Sequence, residues 1–178
     1  AFKGCTGVTE LSFAKLKTVG NSAFAGLTKL EQVDFPMLTK VSEQCFDGCM
    51  SLKTLSLPVC TELGNLALCK AKIDPENEDK NEYTGFEHIE KLDLPMLETM
   101  GERALYGCKN LKKLNVPKLR QLNLNALERC EALTELALPE LAIISEKAFA
   151  HCTGLTSLQL PSLTKIEEQA FFQCKNLI

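Results

Sequence analysis

Tryptophan is absent from this 178-residue chain, and aromatic residues make up only 6% of it. An excess of one charge is missing too: 20 Lys and Arg stand against 23 Asp and Glu, a net charge of −3. That balance gives no electrostatic reason to hold a phosphate backbone, so nucleic acid is not expected as a partner. No apolar run approaches the roughly 18 to 20 residues of a membrane-crossing helix, and no membrane insertion of this segment is expected. The first residues, AFKGCTG, lack a charged stretch followed by an apolar one, so any targeting peptide is expected to have been removed or never to have existed.

Catalytic signatures are scarce as well. There is no G-x-x-x-x-G-K, no G-x-G-x-x-G and no G-x-S-x-G. Zinc would require paired ligands such as C-x-x-C or H-x-x-x-H, and neither spacing occurs. His88 and His151 form no set with a carboxylate and a nucleophile that a fold would bring together, so hydrolase chemistry has no support. The expectation is a non-enzyme with no cofactor, no metal and no catalytic residue.

What is present is 45% apolar and 24% charged residues, enough to build a core and too apolar for a disordered tail. Nine Cys is an awkward number, because a secreted disulfide framework favours an even count and a cytosolic enzyme rarely has so many.

Prolines show how the chain is organised. Pro36, Pro58, Pro95, Pro117, Pro139 and Pro161 are spaced by 22, 37, 22, 22 and 22 residues, and 37 is 22 plus 15. Only Pro75 is off this ruler. Aligned on it, the chain repeats a unit C-x-x-L-x-x-L-x-L-P-x-L-x-x-I-x-x-x-A-F-x-x, with units starting near residues 5, 27, 49, 86, 108, 130 and 152. The third unit carries an insertion, about residues 71–85, and an eighth unit begins at Cys174. The alternation L-x-L is the period-two pattern of a half-buried strand, and the proline after it, having no N–H, ends the ladder. A second short extended piece is expected through the Ile column. Segments such as EKAFAHC predict one helical or 3₁₀ turn, and the Phe149 and Phe171 rings are expected in the core. A single coil cannot bury its own apolar face, so the units must stack.

The unit, as in LTSLQLPSLTKIEEQAFFQC at 155–174, resembles the BspA-like class of leucine-rich repeats over residues 1–178 with one interruption. The fold expected is therefore an α/β leucine-rich-repeat solenoid, right-handed and strand-rich. It would have about seven 22-residue coils and a parallel sheet on one face, forming a single domain over 1–178. Neither end has a polar capping unit, so a fragment of a longer array is expected. The resemblance implies a surface or secreted protein whose partner is another protein, such as an extracellular-matrix component. Two alternatives stay open: a structural stalk displaying another domain, and an intracellular scaffold, which nine reduced Cys would suit.

The insertion AKIDPENEDKNEYTG is expected to be a surface loop on the edge opposite the main sheet. Asp74, Glu76 and Glu78 imitate the opening of a calcium loop, but Asp79 stands where glycine is needed and Gly85 where glutamate is needed. Six Cys share one column, namely Cys5, Cys49, Cys108, Cys130, Cys152 and Cys174. Leu27 and Phe86 fill that column elsewhere, so buried free thiols are expected. Neighbours such as Cys108 and Cys130 would nevertheless be close enough for disulfide Cα geometry. Of the other three, Cys69 is expected to be the most exposed. A binding surface would be made by the outward positions of L-x-L: Gln32, Asp34, Lys91, Asp93, Lys113, Asn115, Glu135, Ser157 and Gln159. This face is polar and has no aromatic anchor of the kind that dominates tight interfaces.

Overall fold

In a computed structural model of the chain, which describes residue 2 and residues 5–178, the repeats stack as coils of a parallel β-solenoid. The strands in chain order are β1 (Glu10–Ser12), β2 (Gln32–Asp34), β3 (Lys40–Val41), β4 (Thr54–Ser56), β5 (Glu62–Leu63), β6 (Cys69–Lys72) and β7 (Glu82–Gly85). After these come β8 (Lys91–Asp93), β9 (Thr99–Met100), β10 (Lys113–Asn115), β11 (Gln121–Leu122), β12 (Glu135–Ala137), β13 (Ile143–Ile144), β14 (Ser157–Gln159) and β15 (Lys165–Ile166). Each L-x-L segment is a three-residue strand whose central residue turns inward, as Leu92 and Leu114 do, while its neighbours face out. Pairing joins residues one repeat apart, such as Glu10 with Gln32 and Leu92 with Leu114.

One expectation needs correction here. The L-x-L face is not one sheet but three pieces, β1-β2-β4, β8-β10 and β12-β14. The continuous sheet is the second stack, through the Ile column, where β3, β5, β9, β11, β13 and β15 pair in parallel. It crosses the insertion without a break, because Leu63 pairs with Met100 across 37 residues. The parallel structure thus lies on two sides of the coil.

The α part of the expected class is also absent among the described residues. Each return segment is a run of turns, and the only helical element is a 3₁₀ turn at Glu78–Lys80. The reason is local. Ser22, Gln44, Leu66, Arg103, Asn125, Lys147 and Gln169 occupy one column and have φ between 50° and 55°, a left-handed conformation that breaks a right-handed turn. Backbone N–H groups then point along the stack. Ser22, Phe24 and Gly26 donate to the Glu43, Cys45 and Asp47 carbonyls at 3.0, 3.0 and 2.7 Å. Arg103, Leu105 and Gly107 repeat this three coils on, at 3.0, 3.0 and 2.8 Å. These bonds form a third ladder, which satisfies groups that a helix would have satisfied within itself.

The insertion is a β-hairpin rather than a loop: β6 and β7 pair antiparallel, Cys69 with Gly85 through Lys72 with Glu82. Its tip is held by short polar bonds, with Asp74 Oδ1 accepting from the Glu76 and Asn77 N–H groups at 2.9 and 3.1 Å. The hairpin also reverses the expectation for Cys69, which is fully buried. The thiol that is exposed is Cys5.

The interior is made of the repeat columns. Leu27, Leu30, Leu38, Leu63, Met100, Leu122 and Ile144 are all fully buried. Phe2, Phe24 and Phe46 form a row of rings at 5.5 and 5.4 Å. Phe149 is fully buried and stacks on Phe171 at 5.5 Å, but Phe171 is only partly buried. It belongs to the last full coil of the described chain and is covered on one side only.

Candidate functional site

The flat pleat of the L-x-L strands presents its outward side chains in rows, and the described structure leaves all nine predicted residues exposed. Six of them, Lys91, Lys113, Asn115, Glu135, Ser157 and Gln159, line one open concavity of about 490 Å³ spanning four coils. Gln32, Asp34 and Asp93 lie outside it. Asp93 supports it from one side, accepting a hydrogen bond from Asn115 Nδ2 at 2.7 Å. Gln32 and Asp34 belong to β2, two coils before Lys91, and are not brought together with the rest.

Charges along the coils are largely matched between neighbours. Lys53 meets Glu31 at 2.7 Å, Lys112 meets Glu90 at 2.8 Å and Lys40 meets Glu62 at 2.7 Å. Such exposed pairs are worth about 0 to 1 kcal/mol each and serve mainly to cancel charge. Lys91 and Lys113 are different. They are direct parallel partners, and neither has an ion pair among the described residues. Like charges opposed on a sheet are destabilising, so this pair contributes nothing to folding.

A second group of residues was not foreseen from the sequence. The hairpin brings Tyr83 to Tyr106, ring centroids 5.7 Å apart, and the Arg103 guanidinium lies 4.5 Å over the Tyr83 ring. The two Tyr, with Arg129 and Lys109, line a notch of about 190 Å³. One signal was available: the only two Tyr of the chain and all three of its Arg fall between 83 and 129.

The buried thiols are not reactive centres. Cys49, Cys130, Cys152 and Cys174 each donate to the carbonyl of the residue 25 positions earlier, at 3.1, 3.4, 3.1 and 2.9 Å. The acceptors are the Phe or Leu of the Ala-Phe column, and Leu105, Leu127 and Phe149 also accept the N–H of the Cys three residues on. Each of these carbonyls therefore uses both lone pairs. Burial pushes the Cys45, Cys49, Cys69 and Cys108 thiols up to about 12, with desolvation the largest cause in each. A thiol so placed is not ionised at neutral pH and is a poor nucleophile or metal ligand. All nine Cys are free. Among the described residues no three His, Cys, Asp or Glu side chains converge as a metal site.

Six copies of the BspA type leucine rich repeat region match residues 1–74 and 79–178. The chain belongs to that family. No curated protein matches it. Solved structures do: a leucine-rich repeat protein of T. pallidum, 17% identical, matches with a TM-score of 0.77 over 96% of this chain and 78% of that one. A leucine-rich cell surface protein of Faecalibacterium prausnitzii, 19% identical, matches with a TM-score of 0.53 over 93% of this chain and 38% of that one. At these identities the likeness is one of fold.

Proposed function

We propose that this BspA-type chain is a non-enzymatic protein-binding repeat domain of a cell-surface or secreted protein, one that engages a protein ligand through its outward sheet face. The observation that carries this reading is the concavity over β8, β10, β12 and β14, where the rigid stack gathers Lys91, Lys113, Asn115, Glu135, Ser157 and Gln159. A stacked pair of unpaired lysines is held at its edge. A mixed polar surface with two free cations and one carboxylate suits a polar protein ligand with local negative charge. The T. pallidum and F. prausnitzii neighbours support the fold on which the reading rests, and the second is named as a cell surface protein.

Adhesion to an extracellular-matrix component is the finer form of the proposal. It is tested by solid-phase binding of the chain to a panel of matrix proteins. Saturable binding at micromolar concentration is expected, weakened at least tenfold by Lys91→Glu with Lys113→Glu. Absence of binding to every member of the panel would remove the adhesion reading. One feature favours a second reading, a stalk that displays another domain: the outward columns of the sheet face hold no aromatic and no Arg, the residue types that anchor tight interfaces.

A further inference from the structure

Resting on the sheet-face reading above, we infer that the concavity selects an extended segment of the partner protein in which an acidic and a basic residue stand two positions apart, as in Glu-x-Lys. The side chains that make this choice form one column along the stack. Lys91, Lys113, Glu135 and Ser157 take the same outward position in successive coils, all are exposed, and all line the concavity.

The acidic residue is called for by the lysines. Lys91 and Lys113 are register partners, so their backbones lie about 4.8 Å apart, and a single carboxylate above the pair can meet both ammonium groups. In the column beside them the charge is already cancelled, Lys112 meeting Glu90 at 2.8 Å. The basic residue is called for by Glu135. It follows Lys113 in the column and would be its natural partner, yet no ion pair joins the two among the described residues. The reason is the seam between their strands: β12 pairs with β14 and not with β10. The neighbouring seams are closed by the Leu94 N–H on the Asn115 carbonyl and the Leu138 N–H on the Gln159 carbonyl, both at 2.9 Å, and Val116 makes no such bond to Ala137 among the described residues. Opposite charges one coil apart are thus kept from cancelling each other. Ala137 keeps the space beside Glu135 open, because it is the smallest residue in a column that carries Asn115 and Gln159 in the coils before and after it.

The spacing then sets the motif. From the midpoint of the two lysines to Glu135 is about 7 Å along the stack, and residues i and i+2 of an extended chain project on one side about 6.6 to 6.8 Å apart. A segment lying along the column, in either chain direction, therefore sets its carboxylate over the lysines and its cation over Glu135. Such an ordered pair of opposite charges gives specificity, and it disfavours a polyanion, which Asp93 and Glu135 would repel on either side of the lysines.

The probe is a blocked heptapeptide, Thr-Ser-Glu-Thr-Lys-Ser-Thr, titrated into isotope-labelled chain while the backbone amide shifts of β10 and β12 are followed. Saturable shifts are expected, at least tenfold weaker when the peptide's Glu is replaced by Gln and at least threefold weaker when its Lys is. Lys91→Gln with Lys113→Gln should weaken binding at least tenfold, with a Tm equal to or above that of the parent because an opposed pair of like charges is removed. Glu135→Gln should make the Lys peptide and its Gln counterpart bind equally. Lys53→Gln, which breaks an exposed pair with Glu31 elsewhere on the face, should leave both within twofold. Equal affinity of the three peptides for the parent, a preference for Lys that survives Glu135→Gln, or displacement of the peptide by dextran sulfate at a lower concentration of anionic groups would each overturn the inference. Binding to a matrix protein that is lost in Lys91→Glu with Lys113→Glu but untouched by Glu135→Gln would sink it while the sheet-face reading stands. A peptide preference erased by Glu135→Gln in a chain that binds no matrix protein would uphold it and remove only adhesion.

Discussion

Six of the seven coils follow the 22-residue rule, and the third departs from it by 15 residues. In the regular coils every inward column is filled by the same few residue types, every strand finds a partner one repeat away, and many exposed charges are matched from coil to coil, Lys91 and Lys113 excepted. The third coil keeps its inner strand in register, Leu63 on Met100, and then sends out a hairpin that seals Cys69 and delivers Tyr83 to Tyr106. The break between β4 and β8 falls here, but the break between β10 and β12 falls between two regular coils, so the insertion is not what interrupts the outer face. The contrast teaches that periodic positions make the scaffold, whereas the aperiodic insertion brings Tyr83 onto Tyr106 and Arg103 at one spot of its surface.

The largest effect expected from breaking this contrast is in a regular interior. Phe149→Ala should cost about 3 to 5 kcal/mol, as for other buried Phe truncations, measured by urea unfolding. Phe171→Ala, partly exposed, should cost less than half as much. Equal costs would show that the last coil is packed as tightly as the interior ones. Next comes Gly85→Ala, which sets a Cβ against the Gly107 backbone. A cost of about 3 kcal/mol or more follows from overpacking with no side chain free to yield. A cost below about 1 would mean that the hairpin sits loosely on the stack.

Cys108→Ala is expected to cost about 2 kcal/mol, from lost burial and a lost thiol bond. It also has a pH signature. The folded thiol is raised from 9.0 to about 12, so its contribution is fully present below pH 9 and is lost as pH rises from about 9 towards 12, where only the unfolded chain is ionised. Stability of the parent should therefore fall over that window, and Cys108→Ala should flatten the slope by up to about 1.4 kcal/mol per pH unit. An unchanged slope would mean that the thiol is solvated. The smallest effect belongs to the hairpin itself. Replacing the tip, residues 73–81, by Asn-Gly joins the paired Lys72 and Glu82 directly and leaves Cys69 and Gly85 in place, so the change in stability should stay within about 1 kcal/mol. Unfolding of that variant would show that the tip is needed to hold the hairpin on the stack.

Much of this was legible before folding. Alternating Leu, terminating Pro and a column shared by Cys, Leu27 and Phe86 are short-range signals, and each predicts an inward position from its neighbours alone. The return segments misled for a physical reason: EKAFAHC has good helix formers, but Lys147 is left-handed at φ 52°, and the coil-to-coil bonds win over the local preference. Cys69 misled because its environment is supplied by β7, which comes after the acidic tip of the insertion. The column thiols were expected to be buried apolar filler, which holds for Cys49, Cys108, Cys130 and Cys152 but not for Cys5, which is exposed, or Cys174, which is partly buried; the role of several as donors to carbonyls 25 residues back needed the stacking geometry.

Repetition is a property of the chain's one-dimensional pattern, and for that reason the coil length, the inward columns, the parallel stacking and the outward sheet face were settled by the amino-acid order. The closing of the hairpin over Cys69, the choice of the inner stack as the unbroken sheet and the meeting of Tyr83, Tyr106 and Arg129 were not. These depend on which backbone groups find partners across coils and on how two glycines let the main chains touch, and such distances exist only once the stack has formed.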